Sequence, residues 1–130
     1  MDDNAPGWSI SILDAERAVL ITTRGVFSAK TFGEMVPDAL AKAQPLGYTR
    51  FVFDHRTMRP RLSTSEIYEL PAALERLGWT REMRVAVVYA EQAKGAEDFK
   101  FFANMAVGKA FAYSLFVEMK PALAWVTAGD

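Results

Sequence analysis

The hydrophobic pattern near the start of the chain predicts two strands. Trp8, Ile10 and Ile12 alternate with polar serines, which is typical of a strand with one buried face. Residues 17–23 form a second run that is rich in β-branched side chains. Because only a short turn separates the two runs, the pattern predicts an antiparallel hairpin.

The hydrophobic pattern then changes to a helical period and back again three times. Helical patterns are predicted after Ser28, after Ser63 or Thr64, and from Gly95 onward. Short apolar runs at residues 51–53, 84–89 and 115–117 predict the intervening strands. A last helix is predicted to begin at Lys120-Pro121 and to present Ala122, Leu123, Trp125 and Val126.

The resulting order, β-β-α-β-α-β-α-β-α, predicts an α/β domain. Strands that alternate with helices favour a mostly parallel five-stranded sheet covered by helices, and the first strand is expected at an antiparallel edge. We expect one domain over residues 8–127, preceded by a flexible tail at residues 1–7. Pro37 and Pro71 fall inside helical patterns, so a kink or a late helix start is expected at both.

Composition narrows the classes of protein that this chain can represent. Among 130 residues, 51% are hydrophobic and 24% are charged, which is enough for a core. The net charge of −1 gives no overall basic field for nucleic acid, so no nucleic-acid partner is expected. There is no cysteine, and no apolar run approaches the roughly 20 residues that span a bilayer. We therefore expect a cytoplasmic protein without a membrane span.

Three segments resemble the STAS-type fold, and more closely its SpoIIAA-like proteins. They are the strand at residues 84–89, the strand Phe51-Val-Phe-Asp54 that leads to a capped helix, and the terminal pair at residues 115–117 and 121–126. The resemblance extends over roughly residues 8 to 127. It implies a non-enzymatic regulatory domain that binds a protein partner or a second copy of itself as a homodimer.

The resemblance also implies a phosphorylation site. In STAS anti-sigma-factor antagonists, a partner kinase can phosphorylate a serine at the start of the second helix, within an Asp-Ser-Ser-Gly-like motif. Ser63, Thr64 and Ser65 occupy that place in this chain and are the candidate phosphorylation sites. The motif itself is absent, and arginines fill the segment before these residues.

The segment after Asp54 is predicted to be a loop at the carboxyl ends of the strands, where ligands of α/β sheets bind. Arg56, Arg59 and Arg61 lie there before a helix N-terminus, which makes them candidate anion-binding residues. A solvated cationic loop is the alternative, and the sole histidine, His55, is expected to be partly exposed in it. A single histidine without a nucleophile motif predicts no catalytic residue, no metal site and no cofactor.

The third helix carries apolar residues on more than one side. Phe101 and Met105 lie off the face that is predicted to pack on the sheet. Together with Trp79, which follows the second helix, they are candidate contacts for a partner or for an apolar ligand, with simple core packing as the alternative.

Two functions from different classes follow from these patterns. The first is an interaction domain that docks a partner through the third helix and the segment after Asp54. The second is a carrier or sensor of a small anionic amphiphile, in which the arginines hold the head group and Phe101 and Met105 line an apolar slot. An enzyme is the weakest interpretation, because it would depend on His55 alone.

Overall fold

Five strands pair in chain order to form one mixed sheet. In the computed structural model, which describes residues 5–128, they are β1 (Gly7–Leu13), β2 (Ala18–Phe27), β3 (Arg50–Pro60), β4 (Arg84–Val88) and β5 (Ala112–Phe116). β1 pairs antiparallel with β2, and every later pairing is parallel. The predicted fold class is confirmed, including its antiparallel edge strand. Residues 1–4 of the predicted tail lie outside the described part of the chain. Gly7, the last residue of that tail, belongs to β1.

Four helices cover the two faces of the sheet unequally. They are α1 (Ala29–Ala43), α2 (Thr64–Arg76), α3 (Ala96–Gly108) and α4 (Met119–Thr127). Parallel strands that follow one another in the sheet need crossovers of one hand, which put the connecting helices on one side. α1, α2 and α3 accordingly share the front face, whereas α4 alone covers the rear face.

Alternating side chains of β4 supply the cores on both sides of the sheet. Val85 and Val87 belong to the front core, and Ala86 and Val88 belong to the rear core together with Val126 of α4. These four residues of β4 are buried. A strand that is buried on both faces explains why residues 84–89 form a nearly continuous apolar run.

β3 is longer than the sequence predicted. The prediction of a loop after Asp54 is wrong, because β2 extends to Phe27 and pairs with β3 as far as Pro60. Thr22 lies opposite Asp54 and Arg24 lies opposite Thr57, so β3 carries one extra residue between these pairs. This β-bulge changes the alternation of side chains along β3 at His55 and Arg56.

Both helix-internal prolines lie within continuous helices. α1 begins at Ala29 after the N-cap Ser28 and runs through Pro37. α2 begins at Thr64 and runs through Pro71. The late helix starts that the prolines could have produced are therefore absent, and capping at Ser28 sets the start of α1 instead.

Candidate functional site

An apolar cavity of about 80 Å³ lies between the sheet and the three front helices. Its wall is almost entirely hydrophobic, and the only ionisable side chains in it are His55, Asp98 and Tyr113. Strand residues such as Val85 and Val87 form its floor, and Phe32 of α1, Ile67 of α2 and Phe99 of α3 form its roof. The cavity is smaller than the roughly 300 Å³ at which sites for drug-sized ligands begin.

His55 is a buried residue of β3 with a defined hydrogen-bond partner. Its Nδ1 atom lies 2.6 Å from Oγ1 of Thr23, and both side chains are buried. The Thr23 hydroxyl also donates to the Asp54 carbonyl oxygen at 3.1 Å. The expectation that His55 is partly exposed in a loop is wrong, because the extension of β3 places it on the front face of the sheet.

Aromatic rings surround the imidazole of His55. Phe99 stacks on it at a centroid distance of 5.5 Å, Phe53 lies at 5.5 Å, and Phe32 meets it edge to face at 6.3 Å. Burial among these rings lowers the pKa of His55 to about 3, although the nearby Asp54 carboxylate favours the protonated form. The imidazole is therefore neutral at physiological pH.

A second, more polar depression of about 300 Å³ lies between α2 and α3, and we call it the α2–α3 groove. It is lined by residues of both helices: Thr64, Ile67, Glu97, Asp98, Lys100, Phe101 and Asn104. Ile67 and Asp98 line the buried cavity as well, so the groove adjoins the cavity at these two residues.

An exposed aromatic pair bridges the two helices beside the groove. The rings of Tyr68 and Phe101 meet edge to face at a centroid distance of 5.2 Å. Tyr68 is 60% exposed and Phe101 is 37% exposed. This geometry places the predicted contact residue Phe101 at the surface together with Tyr68, which the sequence analysis did not single out.

The three candidate phosphorylation sites lie at the N-terminus of α2. Ser63 is the N-cap: its Oγ accepts from the Glu66 backbone N–H at 3.1 Å, while the Ser63 N–H donates to the Glu66 carboxylate at 2.8 Å. Ser65 Oγ lies 3.2 Å from Ser63 Oγ. All three hydroxyl-bearing residues are exposed, and Thr64 lines the α2–α3 groove.

The three candidate anion-binding arginines do not gather around a pocket. Arg56 forms a two-point ion pair with Asp54, at 2.9 Å and 2.8 Å, which lowers the pKa of Asp54. Arg59 is an exposed residue of β3, and the exposed Arg61 donates its backbone N–H to the Phe27 carbonyl. Among the described residues, no arginine lines the cavity or the groove, and Lys100 is the cation in the groove lining. An arginine head-group site for an anionic amphiphile stays a prediction.

Trp79 and Met105 differ from Phe101 in their surroundings. Trp79 is buried against Phe51 and Phe53, at centroid distances of 5.1 Å and 6.1 Å, so a role in surface contact with a partner is ruled out. It does line the cavity, and contact with an apolar ligand stays a prediction. Met105 is half-buried and lines neither the cavity nor the groove.

The described residues form neither a metal-binding cluster nor a membrane-spanning helix. Across residues 5–128, no three histidine or carboxylate side chains converge in a way that could hold a metal ion. Within the same range, no helix is both long enough and apolar enough to cross a bilayer.

Two solved structures share the fold of this chain. No protein-family model and no curated protein sequence matches the chain. An anti-sigma factor antagonist from Mycobacterium paratuberculosis matches in structure with a TM-score of 0.63 and 15% identity, over 96% of this chain and 97% of that chain. A DUF3478-family protein from Shewanella loihica PV-4 with a SpoIIAA-like fold matches with a TM-score of 0.62 and 18% identity, over 97% and 98%.

The chain has a SpoIIAA-like fold. The resemblance noted from the sequence is thus confirmed at the level of fold. Within this SpoIIAA-like domain, Thr64 at the start of α2 and Phe101 of the aromatic pair line one groove. Thr23 and Tyr68 are the site residues that sequence reasoning missed. Thr23 could have been noticed as a polar residue within the apolar run of β2. Nothing in the sequence distinguishes Tyr68 from other exposed helical residues.

Proposed function

We propose that this SpoIIAA-like domain is a non-enzymatic regulatory module that docks a protein partner on the surface formed by α2 and α3. The exposed pair of Tyr68 and Phe101 carries the proposal. Two large rings that contact each other across two helices and remain open to solvent resemble the anchor residues at the centre of protein interfaces.

The charges beside the aromatic pair favour a basic partner segment. Glu97 and Asp98 line the groove, and the Lys100 ammonium lies 3.5 Å from the Glu97 carboxylate. Among residues 5–128, the Asp98 carboxylate has no ion-pair partner. A segment that presents an apolar side chain to Tyr68 and Phe101 and a lysine or arginine to Asp98 fits this surface best.

A second copy of the chain fits the same surface less well. A twofold dimer interface brings the same patch of both subunits together. The groove carries the two carboxylates of Glu97 and Asp98 against the single cation Lys100, so two copies of it would face each other with net negative charge, which is unfavourable. We therefore propose a different protein as the partner rather than a homodimer.

Phosphorylation near the N-terminus of α2 would control this docking. A phosphate on Thr64 or Ser65 would add negative charge at the groove, close to the positive end of the helix dipole. Phosphorylation of Ser63 would also disturb the hydrogen bonds of the N-cap. The phosphate would strengthen the attraction for a basic segment.

The surroundings of His55 support a non-enzymatic function. Its hydrogen-bond partner Thr23 is fully buried, so the hydroxyl cannot approach a substrate from solvent. The other neighbours of the imidazole that contact its ring are phenyl groups, which offer neither a nucleophile nor a proton donor.

Site-specific photo-crosslinking in the protein's own host tests the docking surface. A photoreactive residue in place of Phe101 should capture one partner protein, whereas the same residue in place of Leu46, another exposed hydrophobic position, should not. In the background of the Phe101 replacement, Tyr68→Ser should reduce the yield by more than about fivefold, as expected for an interface anchor.

The captured segment decides between the possible outcomes. Mass spectrometry of the crosslinked peptide should locate a segment in which lysine or arginine accompanies apolar residues. A crosslink to a second copy of this chain, a crosslink to an acidic segment, or equal yields at positions 101 and 46 would each contradict the proposal.

A further inference from the structure

Among the described residues, the wall of the cavity carries polar side-chain atoms without a hydrogen-bond partner, the Tyr113 hydroxyl and one nitrogen of His55 among them. The imidazole of His55 uses Nδ1 for its contact with Thr23. Among the described residues, no side chain or backbone group hydrogen-bonds the other ring nitrogen, Nε2. Every fully enclosed side-chain polar atom within residues 5–128 has a hydrogen-bond partner. Nε2 is therefore not fully enclosed, and His55 is part of the cavity wall.

The hydrogen bonds of Thr23 assign the proton on the imidazole. The Thr23 hydroxyl has one proton, and it donates that proton to the Asp54 carbonyl oxygen at 3.1 Å. Donation to that carbonyl leaves the hydroxyl oxygen free to accept from the Nδ1–H of His55 at 2.6 Å, and this is the tautomer that satisfies both contacts of the single hydroxyl. In this tautomer Nε2 has no proton, and it is left with a lone pair that can accept a hydrogen bond.

The cavity favours an uncharged occupant. Apart from His55, its ionisable lining residues are Asp98 and Tyr113, and no lysine or arginine lines it. Burial holds the pKa of His55 at about 3, so the imidazole offers no positive charge near neutral pH. A carboxylate or phosphate inside the cavity would lack a counter-charge, and a cation would meet only the carboxylate of Asp98.

The size of the cavity and its opening limit the occupant further. About 80 Å³ is several times the roughly 10–15 Å³ that one water molecule requires. Ile67 and Asp98 line both the cavity and the α2–α3 groove, so an occupant can enter between the two helices. One ring or a short chain fits the enclosed space.

We propose that the cavity binds a small, uncharged, mostly apolar molecule through a single O–H or N–H group that donates to Nε2 of His55. Alcohols, phenols and N–H heteroaromatic molecules belong to this class. Phe99 and Phe53, which lie on the imidazole ring, contact the apolar part of the molecule. The cavity shares Ile67 and Asp98 with the α2–α3 groove, but binding in it does not depend on the docking proposed above. It differs from a carrier of anionic amphiphiles because it requires no cation.

Titration of the ¹⁵N-labelled protein with phenol, toluene and benzoate near pH 7 tests the site. Phenol should shift the Nε2 resonance of His55 and the resonances of Phe99 in a saturable way. Toluene lacks the donor and should bind about 3- to 10-fold more weakly, which corresponds to one hydrogen bond. Benzoate should not enter the cavity.

The variant His55→Phe provides the matched control, because it keeps an aromatic ring and removes the acceptor. It should bind phenol more weakly than toluene, because the phenol hydroxyl would be buried without its acceptor. If the variant does not fold, the titration of the wild-type protein decides alone. Equal affinities of wild type for phenol and toluene, a phenol response confined to the groove near Phe101, or no response of Nε2 up to the solubility limit would each overturn the proposal.

Discussion

A buried hydroxyl and a buried imidazole hold each other in place on the front face of the sheet. The Thr23 hydroxyl contacts both His55 Nδ1 and the Asp54 carbonyl oxygen, and Thr23 is completely buried. Removing one member of such a network leaves the others unsatisfied in an apolar environment, which costs more than the hydrogen bond itself contributed.

The variant Thr23→Val should therefore destabilise the protein by about 1–3 kcal/mol, because valine keeps the shape but leaves His55 Nδ1 unpaired. Urea denaturation measures the change. Thr22→Val on the same strand is the matched control: Thr22 is exposed, so its cost should remain within about 0.5 kcal/mol. Equal costs for both variants would show that the buried hydrogen bond does not contribute to stability.

The low pKa of His55 predicts a loss of stability in mild acid. The folded protein holds this pKa at about 3, below the ordinary value of 6.5, so the unfolded chain binds the proton first as the pH falls. The free energy of unfolding should decrease by about 2 kcal/mol between pH 7 and pH 5. Denaturation curves across this range provide the measurement.

The variant His55→Gln isolates this contribution, because His55 is the only histidine in the chain. Its stability should change little between pH 7 and pH 5. The lowered pKa of Asp54, caused mainly by the hydrogen bond from Arg56, adds a loss of stability only at lower pH. A wild-type stability that is flat from pH 7 to pH 5 would contradict the burial of a neutral imidazole.

Individual residues were predicted from the sequence with mixed success, for physical reasons. Phe101 was correctly placed off the sheet-packing face, because helical periodicity determines the direction of a side chain. Tyr68 could not be recognised, since its importance depends on meeting Phe101 from a different helix. His55 was misplaced because polar neighbours make its segment resemble a loop.

The start of α2 shows what a local motif contributes at the scale of an element. Ser63 and Glu66 form a reciprocal capping box, so each satisfies a backbone N–H of the other. This arrangement depends on only four consecutive residues, which is why the sequence could place the cap at Ser63 or Thr64, and the structure selects Ser63.

The variant Ser63→Ala should cost about 0.5–2 kcal/mol of stability, because the Glu66 N–H loses its acceptor. Thermal or urea denaturation measures this loss. Ser65→Ala removes a hydroxyl that contacts only the Ser63 hydroxyl, so it should change stability much less. A larger cost for Ser65→Ala than for Ser63→Ala would contradict the assigned cap.

The length of β3 could not be predicted from local pattern. Its second half carries polar and basic residues, and it becomes a strand because β2 extends alongside it to Phe27 and Pro60. The bulge near His55 also breaks the period of two by which strands are recognised. The mostly parallel pairing and the antiparallel edge strand were predictable because they follow from alternating elements and a short hairpin connection.

At the scale of the whole molecule, the front layer is packed unevenly. The cavity lies beneath α2 and α3, and α2 contributes only Ile67 and Pro71 as buried residues. In contrast, α1 buries five residues of its own: Thr31, Met35, Val36, Ala39 and Ala43. Elements with little buried surface open locally at lower free energy than the rest of a domain.

Hydrogen exchange measured by mass spectrometry should show this difference. The amides of α2 and α3 should exchange at least about tenfold faster than those of α1 and of the inner strands, because local opening of the two helices needs less free energy. If α2 and α3 are protected as strongly as β3, the cavity does not weaken this layer.

The isolated position of α4 on the rear face has a consequence for protein synthesis. Because α4 follows all five strands in the chain, the side chains of Val52, Ala86 and Val88 have no helical cover until α4 has docked. A nascent chain at this stage presents an apolar surface to which other nascent chains or a chaperone can adhere. The nine residues of α4 end this exposure when they dock, so the rate of their docking sets how long the rear face is open to aggregation.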